Sequence, residues 1–177
     1  MIRAANLLTL SRTMLTLDAT KPKQETLRRA ISTAYYALFN LLLDGGCRQV
    51  ATAPSLRDLV RRGFGHGEMK KVARVFQGGT LPKHVAQVFE AAKRTPDVPA
   101  ELRRVAKAFV GLQEARHEAD YDPTRPTPYT RKEADDWIAL AEAAFADWET
   151  VRGRPLDALA VEVFLTGLLL WDRWGKG

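Results

Sequence analysis

At 177 residues, 46% apolar and 27% charged, the chain is long enough to bury a core and too apolar for disorder to dominate. Its single cysteine, Cys47, excludes an internal disulfide and suits a reducing, cytoplasmic setting. The net charge of +6 is uneven: residues 1–94 hold 16 Lys+Arg against 6 Asp+Glu, a balance of +10, and residues 95–177 hold 11 against 15, a balance of −4. A basic first half suits phosphates or an acidic partner, and equally a solvated charged face.

The pattern is helical nearly throughout, with no hairpin signal and no solenoid repeat. A first helix is predicted from about Ile2 to Leu17. Asn6, Arg12 and repeated hydroxyls interrupt its apolar residues, so Met1–Thr16 lacks a signal-peptide layout. Thr20 and Pro22 punctuate the chain before a second helix, whose stripe is Leu27, Ile31, Ala34, Leu38, Leu41 and Leu42. That helix is predicted to stop at Gly45-Gly46, where glycine can take the left-handed closing conformation. Ser55 and Asp58 after Pro54 mark a third helix, which Gly63, Gly65 and Gly67 break or bend.

A helix over Met69–Phe76 ends at Gly78-Gly79, Pro82 opens a short one to Lys93, and Thr95–Pro99 is a connector. The next helix runs from Ala100 to Glu118 or slightly beyond. Asp122-Pro123 and Arg125-Pro126-Thr127-Pro128 predict a stiff loop. Thr130 and Glu133 form a capping box for a long helix lined by Trp137, Ala141, Ala144, Trp148 and Val151. Gly153-Arg154-Pro155 interrupts that helix before an apolar tail from Ala158 to Trp171, too short to span a membrane and carrying Glu162. The expected architecture is an all-α, up-and-down antiparallel helical bundle over residues 1–152. Residues 153–177 form an apolar extension packed on the bundle or a partner.

Polar residues in apolar register single out two helices. The stripe Leu102, Val105, Phe109, Leu112 continues onto Arg116 and Asp120, with Gln113 on the same face. Charges there are either paired to each other inside the bundle or face a ligand cleft or second subunit. On the second helix Arg29, Thr33, Tyr36 and Asn40 line a face away from the Leu27–Leu38 stripe, which makes that helix central or open to a partner.

Two segments carry a family resemblance. Ile31-Ser-Thr-Ala-Tyr-Tyr-Ala-Leu-Phe-Asn40 resembles the Ser-Arg-Ala-Tyr-Tyr-Ala-type helix of HEPN domains, with Tyr35 and Tyr36 at its centre. Arg116-His-Glu-Ala-Asp-Tyr-Asp-Pro123 resembles the Arg-x-x-Ala-Asp-Tyr segment of the same superfamily, and Phe64-Gly-His-Gly-Glu-Met-Lys-Lys71 is similar to the middle segment of some members. Over residues 20–150 the resemblance implies a helical bundle that usually dimerises and a link to RNA. It implies either a metal-independent endoribonuclease of a toxin–antitoxin or phage-defence type, or a non-catalytic module, in some cases beside a nucleotidyltransferase partner. Arg116, His117, Asp120 and Tyr121 are the residues it marks. The family's catalytic signature is an arginine followed four to six residues later by histidine. Here the residues five to seven positions after Arg116 are Tyr121, Asp122 and Pro123, so no histidine is in place, and His117 is adjacent to Arg116 instead. Arg61 and His66 meet the bare spacing, which 18 arginines and 3 histidines produce by chance about once.

The remaining residues support little other chemistry. His66, His84 and His117 are isolated, no Cys/His spacing fits zinc, and Glu114, Glu118, Glu142 and Asp147 do not form matched pairs, so no metal or cofactor is expected. Gly63-x-Gly65-x-Gly67 follows no strand and is not a dinucleotide fingerprint. Arg57, Arg61, Arg62, Lys70, Lys71 and Arg74, with His66, make a local positive field suited to RNA phosphates. The apolar tail adds the expectation of a homodimer.

Overall fold

A computed structural model describes residues 3–17, 21–122, 125 and 127–174. Met1, Ile2, Thr20, Pro123 and Pro126, which figure in the predicted helix start, punctuation and stiff loop, lie outside them. The chain is all-α. Among the described residues it forms α1 (Ala4–Leu17), α2 (Gln24–Val50), α3 (Pro54–Arg61), α4 (His66–Gly78), α5 (Lys83–Ala91), α6 (Ala100–Tyr121), α7 (Arg131–Arg152), one 3₁₀ turn (Pro155–Asp157) and α8 (Ala158–Trp174). No helix among them is long and apolar enough to cross a membrane. The chain divides into two packed units, residues 1–41 with 108–145 and residues 42–107 with 146–177.

The first unit is built on α2 and α6 running antiparallel. The stripe predicted from periodicity is its core: Leu27, Ile31, Ala34 and Leu38 of α2 and Phe109 and Leu112 of α6 are buried. Tyr35 is fully buried as well, its ring 5.7 Å from that of Phe109. α7 starts on the predicted capping box: the Glu133 amide donates to Thr130 Oγ1 at 3.1 Å, and the Thr130 amide donates to Glu133 Oε2 at 2.8 Å. Arg125 adds a second hold, 2.6 Å from Glu118 and 2.7 Å from Glu133. α1 joins through Arg12, which pairs with Asp135 and Glu142 of α7.

The second unit corrects one element boundary. α2 does not end at Gly45-Gly46 but continues to Val50. These glycines serve close packing rather than a turn. A Cβ on Gly46 would lie 2.6 Å from the Phe64 ring, and one on Gly45 would lie 3.2 Å from Trp148 and 3.3 Å from Leu165. The turn geometry falls instead on Gly79, whose φ of +75° closes α4.

α4 and α8 pack antiparallel within this unit. The Phe76 and Phe164 rings meet edge to face at 5.0 Å, and Gly167 sets α8 against Val72. The tail therefore buries Val161, Val163, Phe164, Leu165 and Leu168, with Leu156 and Leu170 left exposed. Most of the apolar surface that suggested a second copy is thus covered within the chain itself.

Candidate functional site

The site is assembled by the ends of two antiparallel helices in the first unit. Arg116 sits one turn before the end of α6, where the apolar stripe of Leu102, Val105, Phe109 and Leu112 gives way to charge. Its Nη2 donates to the Tyr36 hydroxyl at 2.8 Å and to the Tyr121 hydroxyl at 2.9 Å. Its Nε lies 2.9 Å from Asp120 Oδ2, an ion pair without hydrogen-bond alignment. Ser32 Oγ donates to the same carboxylate oxygen at 3.0 Å. The guanidinium carbon is 5.4 Å from the Tyr36 ring centre and 4.9 Å from that of Tyr121, within cation–π range.

The Arg116 and Asp120 side chains are 16% and 21% exposed, although Asp120 as a residue is open at the helix end. Burial works against the Arg116 charge, but Tyr36, Tyr121 and Asp120 outweigh it and hold its pKa above the ordinary value. Tyr35 is a fully buried core ring, and burial pushes its hydroxyl well above its usual range, with Arg116 opposing.

His117 is exposed, and its ring lies 5.3 Å from the ring of Tyr121, itself 61% exposed. Arg116 and His117 are adjacent, so their side chains leave the helix about 100° apart. Tyr121 lies four residues after His117, one turn of helix, and closes that gap. The exposed face therefore reads His117, Tyr121, then the guanidinium of Arg116, with Asp120 behind it.

The motif helix contributes differently from its predicted face. The line that meets α6 is Arg28, Ser32 and Tyr36, at steps of four. Arg28 Nη1 donates to the carbonyls of Ala119 at 2.9 Å and Asp122 at 3.0 Å, satisfying groups that the end of α6 leaves orphaned. Arg29 is exposed, and Asn40 donates to the Tyr36 carbonyl of its own helix at 2.8 Å. Thr33 is buried and donates to the Arg29 carbonyl at 2.7 Å. Sequence reasoning missed Arg28 and Ser32. Their four-residue spacing to Tyr36 was the available signal.

The cationic set lies in the second unit and is partly committed to structure. Arg57 donates to the carbonyls of Ala51 and Thr52 at 2.9 and 2.7 Å, beyond the end of α2. Arg61 is 3.8 Å from Asp44, and Lys71 lies 2.8 Å from Glu68 and 3.3 Å from Asp172. Arg62, His66 and Arg74 are exposed and Lys70 is half-buried. The Gly63 and Phe64 amides bond the Val60 and Arg61 carbonyls, so the bend does not offer those N–H groups to a phosphate as its glycines suggest. Among the described residues no group of three or more His, Cys, Asp or Glu is placed to hold a metal ion.

No family model matches the chain, and neither a curated protein nor a solved structure matches it.

Proposed function

We propose that this chain is a HEPN-like protein that acts on or binds RNA, with the Arg116–Tyr121–His117 face as its contact with the nucleic acid. The observation that carries the reading is the Arg116 guanidinium held between the Tyr36 and Tyr121 hydroxyls, beside two exposed rings. A guanidinium fixed in one orientation suits a phosphate, and exposed rings suit an unstacked base. Metal-free RNA cleavage needs a base for the 2′-hydroxyl and a cation for the charge that develops on phosphorus. Arg116 is the cation of this reading. His117, whose ring lies 5.3 Å from that of Tyr121, is the proton-transfer group of this reading.

A second reading is favoured by a different observation. Asp120 compensates the Arg116 charge, and Ser32 fixes Asp120 in turn. A network closed in this way suits a non-catalytic HEPN-like module in which these residues hold two helices together for dimerisation or partner binding.

An assay with fluorescent single-stranded RNA separates the two, read for both cleavage and binding with Arg116→Ala and His117→Ala as controls. Cleavage abolished by either change supports an endoribonuclease. Binding without cleavage, weakened by Arg116→Ala, supports an RNA-binding module. No binding and no cleavage at low salt rejects the RNA reading and leaves the interaction module.

A further inference from the structure

A second aromatic cluster lies in the other unit, where α8 ends. Trp171 and Trp174 are one turn apart and half-buried, their rings 6.3 Å apart and nearly perpendicular. His84 of α5, also half-buried, brings its ring to 5.9 Å from Trp171 and 6.5 Å from Trp174. Gly167 makes room for this: a Cβ there would lie 3.4 Å from the Trp174 ring and 3.6 Å from that of Trp171. Asp172, between the two tryptophans in sequence, is held by Lys71 of α4 at 3.3 Å, which ties the cluster to the basic helix.

We propose that His84, Trp171 and Trp174 form a base-stacking platform for single-stranded RNA, with the exposed Lys83 and Arg173, their neighbours in sequence, serving its phosphates. Two part-open indoles and an imidazole at a helix end offer flat apolar faces that any base can cover, whatever its identity. The charge suits a polyanion: Lys83 and Arg173 are exposed next to His84 and Trp174, and Asp172 is already matched by Lys71. An apolar protein partner would meet these two cations as a desolvation cost. The inference rests on the RNA reading above but not on Arg116, because the platform is a separate set of residues in a separate unit.

The test is a fluorescence-anisotropy titration of a labelled oligouridine at low salt. Replacing Trp174 by Ala is expected to weaken binding by about tenfold or more, as loss of one stacked base does, and Trp174→Phe to keep most of it. Circular dichroism checks that each variant keeps its helices. The wild-type protein gives a second measurement independent of any variant's folding. Stacking predicts saturable quenching of tryptophan emission by the oligouridine, lost when Trp171 and Trp174 are both Phe.

Wild-type binding that is unchanged by Trp174→Ala overturns the platform and leaves the Arg116 face standing. Absence of quenching at saturating RNA overturns it as well. Binding lost in Trp174→Ala and kept in Arg116→Ala supports the platform and rejects Arg116 as the contact. Failure of the wild-type protein to bind at low salt rejects both.

Discussion

Arg116 of α6 reaches the hydroxyl of Tyr36 on α2 at 2.8 Å, across two helices that run antiparallel. The same nitrogen holds Tyr121 at 2.9 Å, so one guanidinium links the motif helix to the end of the helix that carries it. Arg116→Ala removes both hydrogen bonds and leaves the mostly shielded Asp120 carboxylate without its cation. Hydrogen bonds to a charged group are worth about 1.5–3 kcal/mol each when poorly solvated, and this site is part-open, so a loss of about 1–3 kcal/mol is expected. Urea unfolding measures it. A loss within about 0.5 kcal/mol, the size of an ordinary surface change, would show that the network holds nothing together.

The capping box gives a prediction with a pH sign. The Thr130 backbone amide, followed by the Arg125 guanidinium, holds the Glu133 carboxyl down to about 2 from its ordinary 4.5. Because the folded value is depressed, the stabilisation is present above the ordinary pKa and is lost as pH falls through the folded value. Glu133 is 40% exposed in its side chain, so solvent screens the effect and the contribution is modest. The stability difference between wild type and Glu133→Ala should shrink as pH falls from about 5 to about 2. A difference that stays constant over that range would mean that the Glu133 charge has no part in holding α7. Thr130→Ala should cost about 1 kcal/mol at neutral pH.

Gly46→Ala puts two effects in opposition. Alanine favours helix over glycine by about 1 kcal/mol, and α2 is helical at this position. The added methyl would lie 2.6 Å from the Phe64 ring, which is buried and must move. Overpacking of this kind costs about 1–3 kcal/mol, so a net loss in thermal stability is expected. A gain would mean that Phe64 yields freely and that the glycine serves some other purpose.

How much of this was legible depends on how local the cause is. The Thr130–Glu133 box and the Gly79 cap were readable because the interacting groups lie within one helical turn. The Leu102–Leu112 stripe and its charged continuation onto Arg116 and Asp120 were readable because a helix repeats its faces. Gly45-Gly46 looked like a stop because the rings that require small residues there, Phe64 and Trp148, are distant in sequence. Arg28 and Ser32 were not singled out beside Tyr36. The phase of that polar face depends on where α6 lies, which periodicity within α2 alone does not supply.

The cationic segment predicts salt-sensitive RNA binding of limited strength. Arg57 is spent on two carbonyls and Arg61 and Lys71 lie beside carboxylates, whereas Arg62 and Arg74 are exposed and Lys70 is half-buried. Replacing Arg62, Lys70 and Arg74 together by Ala should reduce the slope of log affinity against log salt by up to about 2, at roughly 0.7 per lost single-strand phosphate contact. An unchanged slope would remove this surface from the RNA reading.

Photocrosslinking tests the Arg116 face most directly. Single-stranded RNA carrying 4-thiouridine is irradiated with the wild-type protein, and the attached peptides are mapped by mass spectrometry. The account predicts crosslinks to His117 or Tyr121, in the tryptic peptide that begins after Arg116, and their loss in Arg116→Ala. Crosslinks confined to other segments, with none at His117 or Tyr121, would contradict it.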